Sequence, residues 1–283
     1  MQERVWAPTP LEMRAREATR LDVRSILRTS WQITQAVLVF TIIAYFIWRG
    51  TLAMDYKWQW YRVTPFFYRI VDGEIVWGPL ILGLVQTLKL AAISGVIAIL
   101  IGFATALARL SNSIAGRAIA TWYLESIRNT PLLVQLFLFY FVLAPIFGID
   151  RFWAGVLCLS AFEGSFAAEI IRGGILGVDK GQYEAADAIG FNRTDKYRFI
   201  VIPQSLPLIL PPLTGLIISL IKHSAIVSVI AVEELTTAGL NLISQTFMAF
   251  EIWFLVAGIY LVVTISLSVG VTFLEMSLNK SKR

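Results

Sequence analysis

The sequence predicts an all-α integral membrane protein with six transmembrane helices, and three observations carry that reading. Hydrophobic residues make up 57% of the 283 and charged ones 15%, with a mean hydropathy of +0.70, outside the usual range of soluble domains. The apolar residues are gathered into runs long enough to cross a hydrocarbon core of ~30 Å at ~1.5 Å per residue. Lys and Arg stand in short blocks beside those runs, so the formal charge of +5 reads as membrane orientation and not as a nucleic-acid surface.

In chain order, residues 1–30 carry Arg4, Arg14, Arg16, Arg20, Arg24 and Arg28 among scattered acids, ahead of an apolar run over 31–48. That basic region is longer than a signal peptide's and no small-residue cleavage site follows the run. A retained first span with a cytoplasmic N-terminus is therefore expected. The stretch 49–78 would lie outside, with Trp58, Trp60, Tyr61, Phe66, Phe67 and Tyr68 resting at the interface. Further spans are expected over 79–108, 118–143, 152–171, 208–232 and 247–275. Both termini facing the cytoplasm places most of the Lys and Arg on that side, including Arg109, Arg117, Arg172, Lys180, Arg193, Lys196 and Arg198.

Several chemistries are excluded by what the chain lacks. The lone Cys158 sits in an apolar run as a packing or lipid-facing residue and forms no intrachain disulfide. A lone His223 and no Cys/His cluster argue against most transition-metal sites. The phosphate-binding pattern G-x-x-x-x-G-K-[ST] does not occur, so this chain is expected to bind no nucleotide and energy must come from a partner or a gradient.

Ionisable residues at membrane depth are costly and tend to face a bundle interior, a partner or a wet cavity. Glu125 and Arg128 stand three apart on one helical face and are expected to pair, just before Asn129-Thr130-Pro131, where the proline permits a bend. The pair either stabilises a kink or, with Thr130, lines a substrate path. Glu163 falls near the midplane beside Gly164 and Ser165, as a buried partner of Lys89 or Lys222 or as a counter-charge for an amino group on a ligand. Lys222 and His223, with Ser219, Ser224 and Ser228 close by, would offer donors to a carboxylate, or His223 is simply a packing histidine.

The charged stretch from Gln182 to Pro207 cannot sit in hydrocarbon as it stands. Gln182 to Ile189 favours a short helix, with Glu184 near its positive end, Ala185, Ala186 and Ala188 as helix formers and Gly190 as its stop. Thr194 is the expected N-cap of a second start, and Pro203 and Pro207 mark re-entry into the next apolar run. By itself this is either an ordinary polar loop or a surface on a partner.

Its spacing narrows the choice. Glu184-Ala185-Ala186, Gly190 after three further residues, then Ile200-Val201-Ile202-Pro203 after nine more resembles the EAA loop of permease subunits of bacterial ABC importers, with Ile202 where the pattern has leucine. The runs from Glu125 to Gln135, Ala168 to Ile175 and Ile218 to Ser224 extend the likeness to the polar amino-acid branch (histidine, glutamate/glutamine, arginine and opine). The resemblance spans 76–280, implying a five-helix permease core there with a coupling loop at 178–207. The basic segment 1–30 and the helix and aromatic loop of 31–75 are additions to it.

It also implies a non-enzymatic subunit of a multi-pass bacterial inner-membrane importer. Its partners would be an ABC ATPase dimer carrying ATP and Mg, a second permease (identical or a sister subunit), and an extracytoplasmic amino-acid-binding protein. Gln182, Glu184, Ala185, Ala186, Ala188, Gly190 and Pro203 would couple to the ATPase. Glu163, Arg128, Thr130, Ser219, Lys222, His223 and Ser224 would lie on the path of a polar or charged L-amino acid. The rival readings are a gradient-driven secondary transporter, for which no internal repeat is seen, an ABC permease for another small polar solute, and a membrane-anchored scaffold or enzyme, the enzyme opposed by the lack of a nucleophile–base pair or metal cluster.

Overall fold

The computed structural model describes residues 10–54 and 56–280, with side chains at 28–52, 54 and 56–273. The first nine residues of the basic segment and the C-terminal Lys282 and Arg283 lie outside the described residues. The chain forms two compact units, Met1–Trp58 and Gln59–Arg283.

The first unit is built on α1 (Pro10–Ala53), within which Arg28–Leu52 is apolar enough to cross a membrane, a longer span than the sequence marked. Its side chains are exposed nearly all round, as suits a helix whose solvent is lipid. The hydroxyls of Thr34, Thr41 and Thr51 donate to the carbonyls of Ser30, Val37 and Ile47, so none needs water.

The second unit begins with α2 (Thr64–Phe67) and a hairpin of β1 (Tyr68–Val71) and β2 (Glu74–Trp77), in antiparallel register from Tyr68↔Trp77 to Val71↔Glu74. Asp72 (φ 52°) and Gly73 (φ 84°) make the turn, since Asp-Gly tolerates the left-handed backbone that tight hairpins require. Among the described residues this small hairpin is the one strand pair in an otherwise all-helical chain, and Phe66, expected at the lipid interface, is instead buried in a protein core.

The spans then follow as α3 (Pro79–Leu110), α4 (Ile114–Arg128), and α5 (Leu132–Phe137) running through a wide π turn into α6 (Ala144–Phe147). Next come α7 (Arg151–Leu176), α8 (Lys180–Ala188), and α9 (Arg193–Asp195), which leads through a second π turn into α10 (Ile202–His223). A tight 3-10 stretch, Ser224–Ile230, precedes α11 (Leu235–Thr246) and α12 (Ala249–Lys280). Among the described residues five helical stretches are long and apolar enough to cross a membrane. The sixth crossing exists only if α4 and the α5–α6 run are taken together across a bend of 107°.

That bend falls at Asn129-Thr130-Pro131, where the sequence permits one, and the broken third span covers 114–147 in place of the expected 118–143. Pro131 has no N–H to continue the ladder, and buried Gln135 takes over. Its amide donates to the Ile127 carbonyl (2.7 Å), the Thr130 carbonyl (3.0 Å) and Thr130 Oγ1 (2.9 Å). The fifth span is also corrected. It does not start after Pro207 but runs helically from Arg193 to Ile230 with Pro207, Pro211 and Pro212 inside it, which neighbouring helices and local π and 3-10 adjustments make tolerable.

The spine of the unit is the α3–α7 pair, packed through small residues. A Cβ on Gly102 would fall 2.5 Å from Ala167 Cβ, and one on Gly164 would fall 2.9 Å from Ile101 Cγ2. Two charged levels bracket this pair. The Lys89 ammonium lies 5.6 Å above the Phe152 ring, while Glu169 is clamped between Arg109 (3.1 Å) and Arg172 (2.8 Å). From Lys89 to Arg109 α3 rises roughly 30 Å at ~1.5 Å per residue, the thickness of a hydrocarbon core. The hairpin and α11 belong to the Lys89 end, α8 to the Arg109 end.

Candidate functional site

At the Arg109 end, α8 forms a knuckle between α7 and α10. Asp179 caps it by accepting from Gly181 N (2.7 Å), so the helix starts two residues before the expected Gln182, and Gly190 ends it at φ +79°. The N-cap of the next turn is Asn192, accepting from Asp195 N (2.9 Å), and not Thr194. The helix already begins at Arg193, which puts Thr194 inside it.

The knuckle is braced on both sides. Tyr183 donates its hydroxyl to the Ile175 carbonyl on α7 (2.9 Å), and burial, with Tyr197 adding to it, holds that phenol above its usual range and so in its donating form. Gln204 on α10 donates to Gln182 Oε1 (3.1 Å), Lys196 pairs with Asp187, and Phe191 N donates to the Ala186 carbonyl (3.0 Å). Ala186 is the buried member of the helix. Gln182, Glu184, Ala185, Ala188, Gly190 and Pro203 are all exposed, beside an exposed Ile189. Backbone and bracing are thus fixed while a face of short side chains stays open.

A second cluster lies within the bilayer. Glu163, 2% exposed, meets His223 Nδ1 at 2.6 Å, in place of the expected Lys89 or Lys222. Lys89 is held at the far level on Phe152. Lys222, a ~100° step around α10 from His223, is turned outward and exposed, without an ion pair among the described residues.

The Phe162 and His223 rings meet edge to face (5.8 Å, 86°), Phe162 lies tilted against Phe166 (5.2 Å, 58°), and the Arg128 guanidinium lies 5.6 Å over the Phe166 ring. Arg128 does not pair with Glu125, whose carboxylate accepts from Asn129 Nδ2 at 2.8 Å. One continuous run of contacts therefore links Arg128, Phe166, Phe162, His223 and Glu163. Arg128 is the last residue of α4 and His223 the last of α10, so two helix ends face the same stretch of α7.

The remaining sequence candidates are placed differently. Thr130 sits at the break, donating to the Ser126 carbonyl (2.8 Å). Ser224 is buried and donates to the Ile221 carbonyl (2.6 Å), while Ser219 is half-buried about a turn before His223. Phe162, Phe166 and Gln135 were not singled out. The aromatic i, i+4 spacing on the helix that carries Glu163 was the signal for the first two, and the amide four residues beyond Pro131 for the third. Gln135 Oε1 has no partner among the described residues. No group of three or more His, Cys, Asp and Glu residues that could hold a metal occurs among them.

The family described as the binding-protein-dependent transport system inner membrane component matches residues 98–280. The chain is 38% identical over 201 residues to the probable glutamine ABC transporter permease protein GlnM of Bacillus subtilis, covering 70% of this chain and 93% of that one. It is 35% identical to the arginine transport system permease protein ArtQ of the same organism, covering 66% and 86%. To the octopine transport system permease protein OccM of Rhizobium radiobacter it is 32% identical, covering 72% and 87%. A crystal structure of an amino acid ABC transporter with histidines superposes with a TM-score of 0.67 at 40% identity, covering 70% of this chain and 94% of that one.

Proposed function

Because the chain belongs to the family of inner membrane components of binding-protein-dependent transport systems, we propose that it is the permease of an ATP-driven importer carrying polar or charged L-amino acids into the cytoplasm by alternating access. The relatives named for glutamine, arginine and octopine support the substrate class. The observation that carries the mechanism is the open small-residue face of α8, braced to α7 through Tyr183 and to α10 through Gln182.

In this reading α8 and both termini face the cytoplasm, and α8 seats on a dimer of ATPase subunits that keep ATP and Mg to themselves. Closure of that dimer pushes on the knuckle, and the bracing passes the push to α7 and α10. Those two helices carry Glu163 and His223, so motion at the knuckle alters the intramembrane face that runs to Arg128. Helix ends at a polar site in mid-membrane are the arrangement alternating access requires. An extracytoplasmic binding protein delivers the amino acid at the hairpin end, and a second permease, identical or a sister, completes the pathway.

The test is reconstitution with the ATPase subunits and binding protein in vesicles. Gly190 holds a left-handed backbone at φ +79° that a side chain resists. Gly190→Asp is expected to cut ATP-driven uptake more than ten-fold while the protein still inserts and the ATPase still turns over. Normal uptake in that variant removes the docking role, and uptake that persists without ATPase subunits but collapses with an uncoupler replaces the importer by a gradient carrier.

A further inference from the structure

We infer that the intramembrane face accepts amino acids with uncharged or anionic side chains, and that His223 excludes cationic ones by occupying Glu163. The inference rests on the reading that the run from Arg128 to Glu163 lines the substrate path. A guanidinium or ammonium side chain leaving water needs a carboxylate to receive it. Three stand near this face, and Glu169, a turn beyond Phe166, is already clamped by Arg109 and Arg172. Glu163 is sealed, its side chain 3% exposed beneath His223, whose own is 43% exposed, and the 2.6 Å contact is an ion pair or a hydrogen bond according to the proton on the imidazole. In both states the acid is taken.

Glu125, the remaining one, is exposed and accepts from Asn129 (2.8 Å), outside the run of contacts from Arg128 to Glu163. The aromatic faces are committed as well. Phe166 already carries the Arg128 guanidinium, which repels a second cation there, and Phe162 packs between Phe166 and the His223 ring. What the face offers is donors: the Arg128 guanidinium, which has no carboxylate partner among the described residues, and the exposed edge of His223. Those suit the α-carboxylate of any amino acid, and beyond it a side-chain amide or carboxylate. The selectivity thus follows from one histidine placed over one glutamate.

A binding protein imposes its own selectivity, so the measurement uses the purified permease–ATPase complex without it. Binding of radiolabelled L-glutamine, L-glutamate and L-arginine is measured on wild type, His223→Ala, and His223→Ala with Glu163→Gln. Wild type is expected to bind glutamine or glutamate at least ten-fold more tightly than arginine. Uncovering Glu163 in His223→Ala should narrow or reverse that ratio at least ten-fold, and adding Glu163→Gln should abolish the gain. Co-purification with the ATPase confirms assembly of each variant, and the wild-type ratio stands as a test even if a variant does not assemble. Tight arginine binding by wild type, or changed affinities at an unchanged ratio in His223→Ala, overturns the selectivity while leaving the path in place. Binding of all three ligands unaltered by these variants and by Arg128→Ala overturns both.

Discussion

The two ends of the second unit solve the same problem, a helix lying across the ends of others, in opposite ways. At the Lys89 end, α11 is anchored by buried groups, beside a cavity lined by Pro79, Gln86, Glu233, Asn241 and Gln245. Glu234, 0% exposed, accepts from Thr236 N and Thr237 N (2.8 Å each) and from Tyr260 Oη (2.9 Å), with Thr87 Oγ1 at 3.4 Å, above a core of Phe66, Leu80, Leu235, Leu242, Met248 and Ile252. At the other end, α8 is tied by a few half-exposed polar contacts, and of its residues only Ala186 is buried. The buried groups around Glu234 are satisfied within the chain, which holds α3, α11 and α12 together as a frame. The open end leaves its outer face uncovered within this chain, which suits the proposed docking of the ATPase there.

The comparison breaks most visibly at Glu234. Glu234→Ala strands two backbone N–H groups and a tyrosine hydroxyl in a dry site, and is expected to cost about 3 kcal/mol, enough to lower the unfolding temperature by several degrees. Glu234→Gln keeps an acceptor and should lose much less. Thermal unfolding of the solubilised protein checks both, and an Ala variant as stable as wild type would mean that this end is not a frame.

A smaller effect follows from the charge of the same group. Burial pushes the Glu234 carboxyl above the usual carboxylate range, and the bonds from Thr236, Thr237 and Tyr260 only partly offset it. A folded-state value above the unfolded one, ~4.3, means that the folded protein holds this proton more tightly. The stability it contributes is complete below the unfolded value and is lost as pH rises through the raised one. The unfolding temperature should therefore carry a component that falls as pH increases from ~4, and Glu234→Gln should remove it. At the α8 end Tyr183 stays protonated throughout that range and adds no slope.

The contrast also explains what the sequence could and could not reveal. Elements set by local chemistry were legible: the apolar runs, the bend at Asn129-Thr130-Pro131 and the short helix stopped by Gly190. Pairings between distant helices were not. Glu163 offered no local clue that His223, and not Lys222 one residue earlier, would face it, because that choice depends on the rotation of α10 against α7. The hairpin was signalled by Asp72-Gly73 but hidden among aromatics that read as interfacial. Pro203 and Pro207 argued for re-entry at the start of the fifth span, where the helix instead continues with Pro207, Pro211 and Pro212 inside it.

The finest test is at the bracing of the knuckle. Tyr183→Phe removes one hydrogen bond, to the Ile175 carbonyl near the end of α7, and keeps the ring that packs against the Ile209 cluster. The net loss in stability should be about 1 kcal/mol or less, since water reaches this half-exposed site and replaces part of the bond. If the bond transmits force, the cost appears elsewhere, as more ATP hydrolysed per amino acid transported by the reconstituted complex. A modest rise in that ratio at nearly unchanged stability is the expected outcome. An unchanged ratio would assign transmission to the Gln182–Gln204 and Asp187–Lys196 contacts on the α10 side, leaving Tyr183 only to position the start of α8.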